Sequence, residues 1–194
     1  MKKAEVVVPK RMFSVAEAQR IGISRAQLKI FADSGRVERF ARGVYGPSDA
    51  AFSPFFEAEI LALRGVEFVV ALESALRFHD LTEAMPHEMW IAMRTAARKP
   101  AVEFPIHVVR VGQQSYEDGI EEHRLGGTTI RVYSMAKTVA DLFKFRSYVG
   151  MELAVSALKQ CLKDNRFSVD DLMRHARIDR VANVILPYVE GVFA

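Results

Sequence analysis

Near the N-terminus, two short segments each begin with a serine that is followed three residues later by a side chain able to reach back to it. The serines are Ser14 and Ser24, and their partners are Glu17 and Gln27. In the second segment, the apolar residues Leu28, Phe31 and Ala32 recur at helical spacing. This arrangement is the capping box that opens a helix, so the pattern predicts helices beginning at residues 15 and 25.

Glycines mark where both predicted helices end. The first helix is expected to stop at Gly22 and the second, after about residue 34, at Gly35, because glycine readily takes the left-handed conformation that terminates helices. Only residues 22–23 separate the end of the first helix from the cap of the second. Two short helices joined by a tight turn containing glycine are typical of a helix-turn-helix.

The pattern after Gly35 changes from helical to extended. Residues 37–40 place apolar side chains at the two ends of a charged pair, and residues 44–45 are β-prone. Between them lies a turn that carries Arg42 at its tip, so the segment predicts a β-hairpin. A hairpin directly after a helix-turn-helix is a wing, and residues 1–50 are therefore expected to form a winged helix-turn-helix domain.

The remaining chain, residues 51–194, mixes both periodicities and predicts a second domain. We expect an α+β fold with a mainly antiparallel sheet and helices concentrated at the C-terminal end. The Gly-Gly pair at 126–127 indicates a hairpin turn. The predicted strands are 66–70, 89–93 and 106–111, and the predicted helices are 54–64, 72–80, 135–145, 149–162, a helix opening at Ser168, and one from 180 to the end.

Charge is distributed unevenly along the chain. The first 50 residues hold ten Lys and Arg against five Asp and Glu, whereas the remaining 144 hold 17 basic and 19 acidic residues. A basic end joined to a slightly acidic body indicates that the first segment meets a polyanion, although a solvated surface would give the same count.

Other bulk features favour the cytoplasm. No apolar run approaches the ~20 residues needed to span a bilayer, so no membrane association is expected. The apolar stretch at residues 6–8 is too short for the core of a signal peptide. Cys161 is the single cysteine and has no partner for an internal disulfide.

One side of the second predicted helix is suited to DNA. At 100° per residue, Leu28, Phe31 and Ala32 share the arc expected to be buried. The second helix of a helix-turn-helix enters the major groove with its N-terminal residues against base edges. The opposite arc and its flanks carry Arg25, Ala26, Gln27, Lys29, Ile30 and Asp33.

These residue types match the groups that a duplex presents. Arg25 can donate twice to guanine, Gln27 can pair with adenine, and Lys29 suits a phosphate. The arginines of the hairpin can follow the backbone or enter the minor groove. The candidate DNA-binding residues are Ser24, Arg25, Gln27, Lys29, Arg36, Arg39 and Arg42.

Three blocks of this segment resemble the N-terminal domain of the AbiEi family of antitoxins, namely residues 13–18, 22–25 and 39–45. The Arg-Gly-Val-Tyr ending of the third block is the most specific part. The resemblance continues more weakly at residues 72–81 and 134–143. It implies a cytoplasmic bacterial antitoxin of a type IV toxin–antitoxin system that represses its own operon at inverted repeats. It also implies a C-terminal domain that neutralises a nucleotidyltransferase-like toxin.

Two positions depart from the family pattern. Asp80 stands where a glycine is usual, and Ile30 stands where a basic residue is common. Ile30 and Asp33 support an alternative hypothesis, in which the chain is a protein-interaction module whose winged domain no longer binds DNA.

No catalytic centre is expected. The five histidines lack the close spacing of metal ligands, and the sequence contains no P-loop, Gly-x-Ser-x-Gly or Gly-x-Gly-x-x-Gly motif. We therefore predict a protein that is not an enzyme and has no cofactor.

Overall fold

The computed structural model describes residues 7–49, 53–82 and 87–193, which form an α+β fold, as predicted. The chain divides into two compact units. The predicted domain boundary between residues 50 and 51 lies outside the described residues. The first unit comprises residues up to Glu67 together with Pro100–Glu103 and His123–Ile130, and the second comprises Phe68–Lys99, Phe104–Glu122 and residues from Arg131 onward.

After a short strand that was not predicted, the elements follow the predicted order of helix, helix and hairpin. A three-stranded antiparallel sheet, in the order β1-β3-β2, accompanies them. Assignment of these elements to a winged helix-turn-helix domain remains a prediction. The elements are β1 (Phe13–Ser14), α1 (Val15–Arg20), α2 (Arg25–Asp33), β2 (Glu38–Ala41), β3 (Val44–Gly46) and α3 (Phe56–Leu63).

A small apolar core holds α1, α2 and the hairpin together. Its buried members come from a strand, from both helices and from the segments that follow the helices, and each is at most 2% exposed. Because one side of α2 faces this core, the opposite side of that helix is exposed to solvent. The buried members are Phe13, Ala18, Ile23, Leu28 and Val37.

The rest of the chain contributes a larger sheet and the C-terminal helices. Short helices α5 and α7 were not predicted, and β4 is shorter than the expected strand. The elements are β4 (Val69–Val70), α4 (Leu72–Phe78), β5 (Met89–Arg94), β6 (Ile106–Val111), α5 (Gln113–Glu117), β7 (Ile120–Leu125), β8 (Thr128–Tyr133), α6 (Met135–Lys144), α7 (Arg146–Val149), α8 (Met151–Lys163), α9 (Val169–Ile178) and α10 (Ala182–Phe193).

The larger sheet has the strand order β6-β5-β4-β8-β7 and is mixed. Strand β4 pairs antiparallel with β5, whereas β4 with β8 and β5 with β6 are parallel pairs. Helix side chains such as Phe143, Leu158, Leu172 and Ile185 are fully buried in the core of the second unit.

A network of charges is buried within this second unit. The Lys137 side chain is 0% exposed, and its Nζ donates to Asp141 Oδ1 at 2.6 Å and to Asp179 Oδ2 at 2.7 Å. Asp179 Oδ1 also accepts from Lys144 Nζ at 2.8 Å and from Ser115 Oγ at 2.5 Å. The network therefore connects α6 to the C-terminal end of α9.

The two buried carboxyl groups are affected differently by this environment. Burial raises the pKa of Asp141 to about 7, and the nearby Asp179 charge adds to the rise, while Lys137 opposes it. Burial also disfavours ionised Asp179, but the two lysines and Ser115 outweigh this effect and hold its pKa at about 2. Lys137 thus compensates charge at both carboxyl groups.

We predict that Lys137→Met lowers the free energy of unfolding of the second unit by about 3–5 kcal/mol. Methionine keeps the approximate length of the side chain but leaves buried Asp141 without a cation and Asp179 with Lys144 alone. Urea denaturation of the full chain measures the loss. Lys159→Met, at an exposed position of α8, is the matched control and is expected to stay within about 0.5 kcal/mol of the parent. Equal stability of the two variants would contradict a stabilising role for the network.

Candidate nucleic-acid interface

Both predicted capping boxes are present. Ser24 Oγ accepts from the Gln27 amide at 3.2 Å, and Gln27 Oε1 accepts from the Ser24 amide at 2.8 Å. The same pair of bonds, at the same two distances, joins Ser14 and Glu17 at the start of α1. These bonds satisfy amide groups that have no partner within a helix, so they fix where α1 and α2 begin.

The two helices also end at the predicted glycines. Gly22 has φ of +85°, and the Ile23 amide donates to the Ala18 carbonyl at 2.9 Å. After α2, Gly35 has φ of +71°, and the backbone amide of Arg36 donates to the Phe31 carbonyl at 2.9 Å in the same way. This is the Schellman arrangement, which turns the chain sharply away from each helix axis.

The predicted rotation of α2 is confirmed by its burial. Leu28 is 1% exposed, and Phe31 and Ala32 are half-buried beside it. The opposite side of the helix is open to solvent. The exposed residues are Ala26, Lys29, Ile30 and Asp33 on that side and Arg25 on its flank.

Three of the predicted DNA-binding cations have no partner in the part of the chain that the structure describes. Arg25, Lys29 and Arg42 are exposed, and none makes an ion pair or a side-chain hydrogen bond with a described residue. Arg25 and Lys29 are one turn apart on α2, so their side chains leave the same side of the helix. These guanidinium and ammonium groups remain available to an external anion.

Arg42 lies in the turn of the hairpin. Ala41 pairs with Val44, so the turn consists of Arg42 and Gly43, and Gly43 takes a φ of +83° that favours glycine. The Gly43 carbonyl accepts from the Val15 amide at 3.0 Å. This bond holds the hairpin tip against the first residue of α1.

The other candidate residues are exposed or half-buried but already make local contacts. Arg36 places its guanidinium carbon 4.3 Å from the centre of the Phe31 ring, and Arg39 Nε donates weakly to the Ala41 carbonyl at 3.4 Å. The side-chain oxygen of Gln27, Oε1, accepts the Ser24 backbone amide in the capping box. Pairing of Gln27 with adenine through both amide atoms would require that bond to open, so Gln27 is better placed to hold the helix start.

The acidic residue of α1, Glu17, is neutralised by local contacts. Partial burial disfavours its carboxylate, but the Arg11 guanidinium at 2.8 Å and the Ser14 amide outweigh burial and hold the pKa of Glu17 below its ordinary value. Glu17 therefore stays ionised and pairs with Arg11, which leaves little net charge at this point to repel a polyanion.

Two further cations of the same segment are exposed but were not among the predicted DNA-binding residues. Lys10 and Arg20 are exposed, and neither makes an ion pair with a described residue. Arg20 is the last residue of α1, the helix that crosses the phosphate backbone in proteins of the helix-turn-helix type. Its position at the end of a predicted helix was the available signal.

Within residues 7–49, 53–82 and 87–193, no cluster of three or more His, Cys, Asp or Glu is arranged to hold a metal ion. In those same ranges every helix falls short of the length and apolar character needed to cross a membrane.

No protein-family model matches this chain, and a search of curated proteins gives no significant match. The resemblance to the AbiEi family therefore rests on the sequence blocks described above. One departure from that family has a structural explanation. Asp80, where glycine is usual, has φ of +55°, a conformation that glycine adopts without strain and aspartate tolerates better than most residues.

We predict that Ser24→Ala frays the start of α2, because the Gln27 amide loses its acceptor at a cost of about 1 kcal/mol. Hydrogen exchange of the Gln27 amide should accelerate about five-fold. Ser24→Asp, which supplies another good capping oxygen, should preserve protection, and Ser156→Ala on the exposed side of α8 should leave it unchanged. Unaltered exchange in Ser24→Ala would contradict the capping role.

Proposed function

We propose that this protein binds double-stranded DNA through α2 and the hairpin tip, and that it acts as a transcriptional autorepressor and antitoxin. The DNA-binding part rests on three exposed cations that have no partner among the described residues, namely Arg25, Lys29 and Arg42. Two of them project from one side of a helix whose other side is held by a core. The protein acts by binding rather than by catalysis.

The physical reasoning follows from the chemistry of a duplex. Phosphates attract cations that release bound counterions, and base edges in the major groove accept the paired donors of arginine. An arginine at the start of α2 and a lysine one turn later supply both kinds of contact. The hairpin supplies a further cation, from Arg42, for the backbone or the minor groove.

The antitoxin part of the proposal is supported by the resemblance alone. Residues 72–81 and 134–143 are similar to the matching stretches of AbiEi antitoxins, whose C-terminal domain neutralises a nucleotidyltransferase-like toxin. Inverted repeats in the DNA upstream of the operon are the corresponding operator. The alternative is an interaction module without DNA binding, and a measurement of duplex binding by the parent chain distinguishes the two.

We predict that Arg25→Ala combined with Lys29→Ala weakens binding to a duplex from the DNA upstream of the operon on the order of a hundred-fold, because a base contact and a phosphate contact are lost together. Fluorescence anisotropy at several salt concentrations measures affinity. The slope of log K against log salt should also become shallower by about 0.9 for each lost phosphate contact.

The matched control for this pair is Lys159→Ala combined with Lys163→Ala. These lysines are also exposed and one turn apart, but they lie on α8 in the second unit. The control should retain parental affinity. Loss of affinity in both double variants would indicate a diffuse charge effect, and failure of the parent chain to bind any duplex would favour the interaction module.

We predict that the chain relieves growth arrest caused by the product of the adjacent reading frame, and that the Arg25→Ala, Lys29→Ala variant relieves it equally well. The reason is that the proposed DNA-binding residues lie in the first unit, whereas the resembling antitoxin stretches lie in the second. Growth of cells expressing both proteins from an unrelated promoter is the measurement. Arrest that persists in the presence of the parent chain would contradict the antitoxin role.

A further inference from the structure

The exposed side of α2 contains a large apolar residue among its cations. Ile30 is 61% exposed, and the exposed Ala26 lies one turn before it. Residues four apart on a helix are about 6 Å apart along the axis. The two side chains therefore form a short apolar stripe beside Arg25 and Lys29, on the side of α2 that the core leaves free.

We propose that Ile30, assisted by Ala26, contacts the 5-methyl group of a thymine in the major groove, and that this contact selects A·T pairs in the operator. This inference rests on the proposed DNA binding. Thymine is the one base that presents an apolar group in the major groove, and its methyl is read by apolar side chains. Ile30 thus becomes a specificity-determining residue instead of an obstacle to binding.

Charge favours DNA over another protein as the occupant of this surface. Arg25 and Lys29 flank the apolar stripe and have no carboxylate partner among the described residues. The phosphates of a duplex attract Arg25 and Lys29, and this brings the neighbouring Ile30 into the major groove. Removing the isoleucine side chain from water lowers the free energy when it contacts apolar atoms, and the thymine methyl group supplies such a contact.

Asp33 limits how much of α2 approaches the duplex. It is exposed on the same side, one turn beyond Lys29, so its carboxylate is about 6 Å further along the helix axis. A carboxylate so placed repels phosphates and disfavours deeper insertion of the helix. The stretch that reads bases is therefore residues 25–30, with Ile30 at its end.

The test uses the full chain and a random pool of duplexes, from which bound sequences are selected and aligned. Each thymine of a selected duplex is then replaced by deoxyuridine, which removes only the 5-methyl group. With the parent protein, we expect replacement at one or two positions to weaken binding about four-fold per methyl. With Ile30→Ala, the same replacements should have no effect, because the methyl has lost its apolar partner.

Two further variants sharpen the comparison. Ile30→Val keeps a branched apolar side chain and should keep sensitivity to the methyl group. Ile21→Ala removes a comparably exposed isoleucine, 48% exposed at the end of α1, and should leave that sensitivity unchanged. Because Ile30 lies outside the core and alanine favours helices, Ile30→Ala is expected to fold.

The outcomes separate this inference from the function on which it rests. Enriched duplexes that bind equally well with uracil overturn the methyl contact but leave DNA binding intact. Sensitivity that persists in Ile30→Ala assigns the contact to another residue and also overturns the inference. A selection that enriches no sequence overturns specific operator binding, and the methyl contact with it.

Discussion

The burial of Leu28 is the constraint on which the candidate interface depends. This side chain packs in the small core with Phe13, Ile23 and Val37, and it fixes the rotation of α2 about its axis. With 3.6 residues per turn, burying Leu28 turns Lys29 and Ile30 away from the core, whereas Arg25 lies about 60° from Leu28 and is exposed on the flank of the helix. The capping box at Ser24 and the left-handed Gly35 then set the two ends of the helix. The position of the cations is therefore a consequence of apolar packing and backbone hydrogen bonding.

The two units use charge in opposite ways. In the first unit, Arg25, Lys29 and Arg42 are exposed to solvent and have no partner among the residues that the structure describes, so their charges can attract a polyanion. In the second unit, Lys137 is fully enclosed and divides its charge between two carboxyl groups. Removing charges from water is costly unless each finds its partner, so such a network is sensitive to the loss of any member.

Local signals predicted much of the first unit and tertiary contacts explain what they missed. Serine caps, terminal glycines and the buried arc of α2 depend on residues within one or two turns, so the sequence pattern was sufficient. The local contact of Gln27 could also have been predicted, because the capping box that marks the helix start uses the side-chain oxygen of Gln27. Asp179, by contrast, reaches Lys137 across 42 positions of sequence. The parallel pairing of β5 with β6, which begins with Met89 opposite Ile106, is also non-local. Helices α5 and α7, of five and four residues, are too short to show a periodicity.

Hydrogen exchange of the full chain, measured by mass spectrometry with and without a duplex selected from the random pool, tests the central claim most directly. The claim predicts that DNA slows exchange in residues 24–30 and at the hairpin turn, residues 41–43, while the helices from α8 to α10 exchange as before. Protection confined to the second unit, or no protection at residues 24–30 under conditions where the duplex is bound, would contradict it.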